Sequence, residues 1–202
     1  MRMYAGVVFG LAFIGGFVVM GVELLGGRIM APYFGSSIYV WGSIITAFMV
    51  ALSLGYLIGG AWSLRTPSLK RLGLIFLVGA VTIVPVLLAA DAIMDAIFER
   101  ITDPRYGSLA AAMGLFFVPT VVLGMISPYS IRLLVEHADH SGQVAGKLYF
   151  VSTLGSALGT LATSFYLVLW FEISQIIIGL ISALLIAGAV ALLAPMRRLD
   201  SA

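Results

Sequence analysis

Of 202 residues, 61% are hydrophobic, only 10% are charged, and the net charge is +2. A water-soluble domain dresses its surface with about a quarter charged residues, so that class is excluded and the chain reads as an integral membrane protein. No cysteine is present, which removes disulfides, thiolate metal sites and a cysteine nucleophile. The basic excess is spread among loops, as the positive-inside rule explains without a nucleic acid or other anionic partner.

Six apolar runs of about 18 to 24 residues match the length an α-helix needs to cross a hydrocarbon core of roughly 30 Å. They are apolar all round rather than alternating, which argues against a barrel and leaves an all-α polytopic fold. The first span is expected over Tyr4–Leu25. Its start, Met1-Arg2-Met3, resembles a signal peptide, but no small-residue cleavage site closes the run, so it is expected to remain a membrane helix. The run ends in Glu23, Gly26, Gly27 and Arg28, and Ala31-Pro32-Tyr33-Phe34-Gly35-Ser36-Ser37 reads as a constrained turn before the second span, Tyr39–Leu64.

An ionisable group at membrane depth is costly unless it faces a partner or a cavity, which makes Glu23 the leading candidate for function. Arg28 is its nearest opposite charge. Five residues is not helical pairing distance, so the pair requires a bend at Gly26 and Gly27; the alternative reading is a structural ion pair at the membrane boundary. Gly55 and Gly59 in the second span, and Gly155 and Gly159 in the fifth, have the four-residue spacing that lets helix backbones approach closely.

The third span, Leu72–Ala90, leads into a connector, Asp91 to Gly107. There Asp91, Asp95 and Glu99 line one helical face while Ile93, Met94, Ile97, Phe98 and Ile101 fill the other. This is the pattern of a short amphipathic helix lying on the interface, ended by Pro104. Its acidic face reads either as a cation-attracting surface, for polyamines or metal ions, or as the solvated side of a connector. The fourth span is expected over Leu109–Ile126, the fifth over Leu148–Leu169 and the sixth over Gln175–Leu193.

His137 and His140, beside Glu136 and Asp139, lack a third ligand at a recognisable spacing, so no metal is expected. Spans two to six carry no ionisable residue near their middles, which leaves no proton relay within this chain alone. No stretch outside the membrane is long enough to fold around a nucleotide or S-adenosylmethionine, so neither a catalytic residue nor a cofactor is expected. Trp41, Trp62, Tyr106, Tyr149, Tyr166 and Trp170 fall at span ends and read as headgroup anchors. The hydroxyls of Ser152, Thr153, Ser156, Thr160 and Ser164 read as bonds across helices or back to their own carbonyls, with a polar ligand as the other reading.

With the N-terminus inside, Arg2, Arg65, Lys70, Arg71, Arg132, Lys147, Arg197 and Arg198 fall inside and only Arg28, Arg100 and Arg105 outside. Both termini are therefore expected in the cytoplasm, with the chain in the cell (inner) membrane. Gly124-Met125-Ile126-Ser127-Pro128-Tyr129 after span four echoes Gly27 to Tyr33 after span one. Ser53, Gly55, Gly59 and Gly60 match Ser152, Gly155, Ser156 and Gly159 in kind. The single transmembrane domain, 1–202, then divides into three-helix units 1–90 and 108–202 joined by the connector 91–107. An odd number of helices per unit inverts the second on the first, as in half of a major facilitator; convergent helix-end chemistry is the other reading.

Glu23-x-x-x-Gly27-Arg28-x-x-Ala31-Pro32-Tyr33-Phe34-Gly35, Tyr39-Val40-Trp41, Ser53-Leu54-Gly55-Tyr56-x-x-Gly59-Gly60, Pro119-x-x-x-x-Gly124-Met125-x-Ser127-Pro128-Tyr129 and Ala145-Gly146-x-x-Tyr149-x-x-Ser152-Thr153-Leu154-Gly155-Ser156-x-x-Gly159-Thr160 cover most of the chain. Together they resemble the membrane part of the membrane-bound spermidine synthase-like proteins. There, a module resembling a major facilitator half precedes a cytoplasmic aminopropyltransferase-like domain. The present chain stops at Ala202 without that domain, so the resemblance carries over no enzymatic activity. Gly55 to Arg71 also resembles the loop between the second and third helices of major facilitators, without the acidic residue after the glycines that its gating role needs.

The resemblance implies a transporter-like or docking module acting with a separately encoded aminopropyltransferase-like protein. It would move or present a polyamine, with Glu23, Arg28 and Tyr33 as substrate contacts and the acidic outer face attracting the cation. The competing expectation is a structural membrane subunit, or a homodimer or other homo-oligomer, with no substrate of its own.

Overall fold

The computed structural model describes residues 2–135 and 140–194. It is helical, with no strand among those residues, and six of its helical stretches are long and apolar enough to cross a membrane. The chain is an all-α polytopic membrane protein. The order is α1 (Arg2–Phe34), α2 (Ile38–Ser63), α3 (Leu69–Leu88), α4 (Ala90–Arg100), α5 (Pro104–Gly124), α6 (Ile126–Leu134), α7 (Ser141–Ala162), a π-helical turn (Thr163–Leu167), α8 (Val168–Trp170) and α9 (Ile173–Leu193).

Three expectations about helix ends are corrected. The first span does not stop at Leu25, and Ala31–Phe34 is not a loop: α1 runs on to Phe34 with Pro32 inside it. In lipid an unpaired backbone group costs several kcal/mol, so the chain stays helical through Gly26 and Gly27 rather than bending there. These glycines are notches. A Cβ on Gly26 would lie 3.2 Å from the Phe116 ring, and one on Gly27 would lie 2.8 Å from the Trp41 ring. Pro32 forfeits a single bond in the last turn, and the stop comes at Gly35, whose φ of 76° is the left-handed conformation that favours glycine after a helix.

Pro104 likewise does not end the connector helix. α4 ends at Arg100, and Pro104 opens α5, where its missing N–H is no loss. Asp103 caps that start, accepting from the Arg105 backbone N–H at 2.9 Å and pairing with its guanidinium at 2.8 Å. The side-chain bonds from Arg105 hold the Asp103 carboxyl below the usual carboxylate range. A depressed carboxyl stabilises above its unfolded pKa and loses that contribution as pH falls through its folded one. The first turn of α5 is therefore expected to fray on acidification below the ordinary Asp range, seen as faster amide exchange at Arg105, with Asp103→Ala frayed at neutral pH.

The fourth and fifth spans are each compound. α5 and α6 together form a crossing from Pro104 to Leu134, interrupted at Met125, because the Pro128 ring excludes the carbonyl four residues earlier. α7, the π turn and α8 form one crossing from Ser141 to Trp170.

Packing is dominated by three helix pairs: α2 with α5, α1 with α7, and α3 with α9. The close approaches in these seams are reciprocal. A Cβ on Gly155 would lie 2.9 Å from the Phe13 carbonyl carbon, and one on Gly55 would lie 2.9 Å from the Gly124 Cα and closer still to the Val121 carbonyl oxygen. A Cβ on Gly159 would lie 2.9 Å from the Phe17 Cα, and one on Gly59 would lie 2.6 Å from the Met125 Cα. Gly16 abuts the Ser152 carbonyl as Gly124 abuts that of Leu52. Gly73 faces the Gly188 oxygen at 2.9 Å and Gly188 the Gly73 oxygen at 3.1 Å, each also meeting the other helix's leucine, Leu192 or Leu77.

One exchange of partners maps every one of these contacts onto another: α1 onto α5, α2 onto α7, α3 onto α9. The rising residue numbers along α1·α7 and α2·α5 make those pairs parallel, while α3 and α9 run antiparallel, as six alternating crossings require. The two three-helix units are thus inverted copies about a pseudo-two-fold passing between Gly73 and Gly188. The register corrects half of the expected echo. Gly55 and Gly59 do correspond to Gly155 and Gly159, but Gly124 corresponds to Gly16, so Pro32 and Pro128 are not equivalent.

Candidate functional site

One face of α1 carries Gly16, Met20, Glu23 and Gly27 at helical spacing. Gly16 lies against α7, where a Cβ would sit 2.9 Å from the Ser156 hydroxyl, and Gly27 lies against Trp41 of α2. Glu23 therefore opens between α2 and α7. It is half-buried and has neither a hydrogen bond nor an ion pair among the described residues. Gly15 faces Ile126, so the pseudo-two-fold passes between α1 and the α5–α6 crossing at about this level. From that level Glu23 stands about 10 Å along α1 at 1.5 Å per residue, a rise shorter than a half-core of about 15 Å.

The expected pairing of Glu23 with Arg28 does not form. In the unbroken helix the two side chains point about 140° apart. Arg28 is exposed and roughly 17 Å from that level by the same rise, and an exposed guanidinium on a long stem needs no carboxylate to offset burial.

The helices beside Glu23 turn small and polar residues outward. On α2, Gly42, Thr46, Met49, Ser53, Tyr56 and Gly60 form one stripe; on α7 the symmetry counterparts are Gly142, Gly146, Tyr149, Thr153, Ser156 and Thr160. Several hydroxyls are already satisfied. Ser53 donates to Met49 O at 2.8 Å, Thr160 to Ser156 O at 3.0 Å and Ser164 to Thr160 O at 2.5 Å, and Ser156 donates across to Gly16 O at 3.2 Å.

Tyr33 belongs elsewhere. Its hydroxyl interacts with Asp95, with Asp91 beside it, and its ring packs edge-on to Phe98 at 6.3 Å. α4 presents Asp91, Asp95 and Glu99 to the exterior and buries Met94. The candidate substrate set thus separates into an acidic end built from Tyr33 and α4, and an isolated carboxylate, Glu23, deeper in the bundle. The sequence does not announce this grouping, because Tyr33 reads as part of a turn and its partners on α4 lie some sixty residues on.

Gly55, Gly59, Gly155 and Gly159 are all buried in helix seams, as packing residues. Trp62 departs from an anchor's role, packing on the buried Tyr129 ring at 5.9 Å, whereas Tyr106, Tyr149, Tyr166 and Trp170 are exposed. His140 is exposed, and His137, Arg197 and Arg198 lie outside the described residues. Comparison with protein-family models, with curated proteins and with solved structures returns no match.

Proposed function

We propose that this chain is a transporter-like membrane module for a small organic cation, completed by a second membrane body laid over the Glu23 face. The observation that carries the reading is Glu23 itself, a carboxylate with no hydrogen bond or ion pair among the described residues, on a helix long and apolar enough to cross a membrane and flanked by two outward polar stripes. Such a group is retained at a cost of a few kcal/mol and marks a substrate or ion path by default. Asp91, Asp95 and Glu99, with Tyr33 among them, would gather cations at the mouth.

The resemblance of the sequence motifs supplies the chemical class, a polyamine. It also suggests a separately encoded aminopropyltransferase-like partner at the Lys/Arg-rich end, which positive-inside bias puts in the cytoplasm of an inner-membrane protein. In proteoliposomes, labelled spermidine uptake is expected to be abolished by Glu23→Gln and retained in part by Glu23→Asp. Neutralising Asp91, Asp95 and Glu99 together should raise KM more than it lowers kcat. Equal uptake by wild type and Glu23→Gln would sink the proposal.

A second reading, a structural subunit or homodimer, draws on Gly42, Gly60 and Gly146, around which a Cβ would meet nothing within 4 Å. It expects stable self-association whose thermal stability is indifferent to spermidine.

A further inference from the structure

The α1·α7 seam is closed where Gly155 and Gly159 meet Phe13 and Phe17 and opens toward the starts of both helices. There Phe9, Gly146, Lys147, Phe150 and Val151 line an open groove of about 360 Å³. The described lining is hydrocarbon, and its one charged residue is Lys147, which is exposed and has no ion-pair partner among the described residues.

The opening is not dictated by the architecture, because the symmetry-related seam is shut. Lys147 and Val151 correspond to Ala47 and Ala51 of α2, which are 1% and 0% exposed. Two alanines let α2 close on α5; a lysine and a β-branched valine in the same places hold α7 off α1. The groove also lies at the end of the bundle that carries Arg65, Lys70, Arg71 and Arg132, where the summed positive field favours anions.

We infer that this groove is a binding site for an anionic phospholipid of the leaflet at the Lys/Arg-rich end, one acyl chain lying on Phe9, Phe150 and Val151 and the phosphate on Lys147. The bilayer supplies that chemistry at that depth. Among the described residues the groove offers no further polar side chain to recognise a hydrophilic solute, while a long apolar body with one negative head suits both its walls and its single charge. A lysine there keeps its stem along the apolar wall and its ammonium at the headgroup level.

The inference is independent of transport, and lipid retention tests it. The purified full chain is incubated with equal amounts of dioleoyl phosphatidylglycerol and dioleoyl phosphatidylcholine, and bound lipid is counted by native mass spectrometry. Wild type should retain the anionic lipid about fivefold over the zwitterionic one, the effect of one basic residue near the surface. Lys147→Ala should lose that preference, Lys147→Arg keep it, and Lys70→Ala, an exposed cation at the same end but outside the groove, change it far less than Lys147→Ala does.

Gly146→Leu fills the groove at a site where a Cβ meets nothing within 4 Å, so the variant should fold and retain neither lipid there. Equal retention of the two lipids by wild type, or an unchanged preference in Lys147→Ala, would overturn the inference. So would efficient copy-to-copy disulfide formation by Gly146→Cys in a chain otherwise free of cysteine, which would put a second copy over the groove.

Discussion

Gly155→Ala is expected to destabilise the folded protein by about 1–3 kcal/mol, the range for forcing extra atoms into a packed interior, and Gly155→Leu to abolish the bundle. The obstacle is main chain, which cannot rotate aside. A Cβ at Gly155 falls 2.9 Å from the Phe13 carbonyl carbon and 3.0 Å from its Cα, closer than real Cβ contacts permit. Helices in lipid gain nothing from hydrophobic exclusion of one another and associate through close packing, so pushing α7 away from α1 removes the attraction that holds the pair.

The pseudo-two-fold makes the prediction sharper. Gly55→Ala should cost about as much as Gly155→Ala, and because the seams α2·α5 and α1·α7 are separate, the two losses should add. Gly60→Ala and Gly114→Ala, on the same helix pairs but with open space around them, should leave stability unchanged or raise it slightly. Unfolding in a detergent titration measures all four. Equal behaviour of Gly155→Ala and Gly60→Ala would show that the seam is not where the bundle is held.

The number of crossings and the interfacial connector were legible in the sequence because hydrocarbon thickness and helical rise leave little freedom, and because Asp91, Asp95 and Glu99 repeat at the helical period. Helix ends were less legible. Gly26 and Gly27 look like a break in isolation, yet they are the positions where Phe116 and Trp41 rings lie against α1, a fact about other helices. Pro104 reads the same whether it closes one helix or opens the next, and only the cap from Asp103 distinguishes the two.

The inverted repeat was visible in the glycine pairs, which are dictated by backbone contact, and obscured by Pro32 and Pro128, which are dictated by local chain direction. The isolation of Glu23 follows from the continuity of α1, which the expected turn concealed. Tyr33 illustrates the same limit: its partners on α4 are distant in sequence, and no period in either segment points to the other.

Tyr129→Ala is expected to cost about 3–5 kcal/mol, as truncation of a large buried ring does, while Tyr129→Phe should cost about 1 kcal/mol for one hydrogen bond. The ring is fully buried on α6 and packs on Trp62, and its hydroxyl accepts from the Ser68 N–H at 3.2 Å. Through that bond α6 holds the link between α2 and α3. In the same link Thr66 adopts a φ of 44°, Ser68 caps α3 by accepting from Arg71 N at 3.3 Å, and the Arg71 guanidinium bonds the Arg65 carbonyl.

The inverted unit solves the same problem differently. Across the pseudo-two-fold the counterpart of Tyr129 is Gly21 of α1, where a Cβ would lie 3.2 Å from Leu180, and the link from α8 to α9 closes on itself through a capping box between Glu172 and Gln175. The symmetry therefore extends to the seams and not to the links, and one link leans on the Tyr129 ring where the other closes on its own cap. Thermal unfolding should rank Tyr129→Ala well below Tyr129→Phe, with amide exchange at Ser68 accelerated in both. If the two variants were equally damaged, the hydroxyl rather than the ring would be holding α6 to the link.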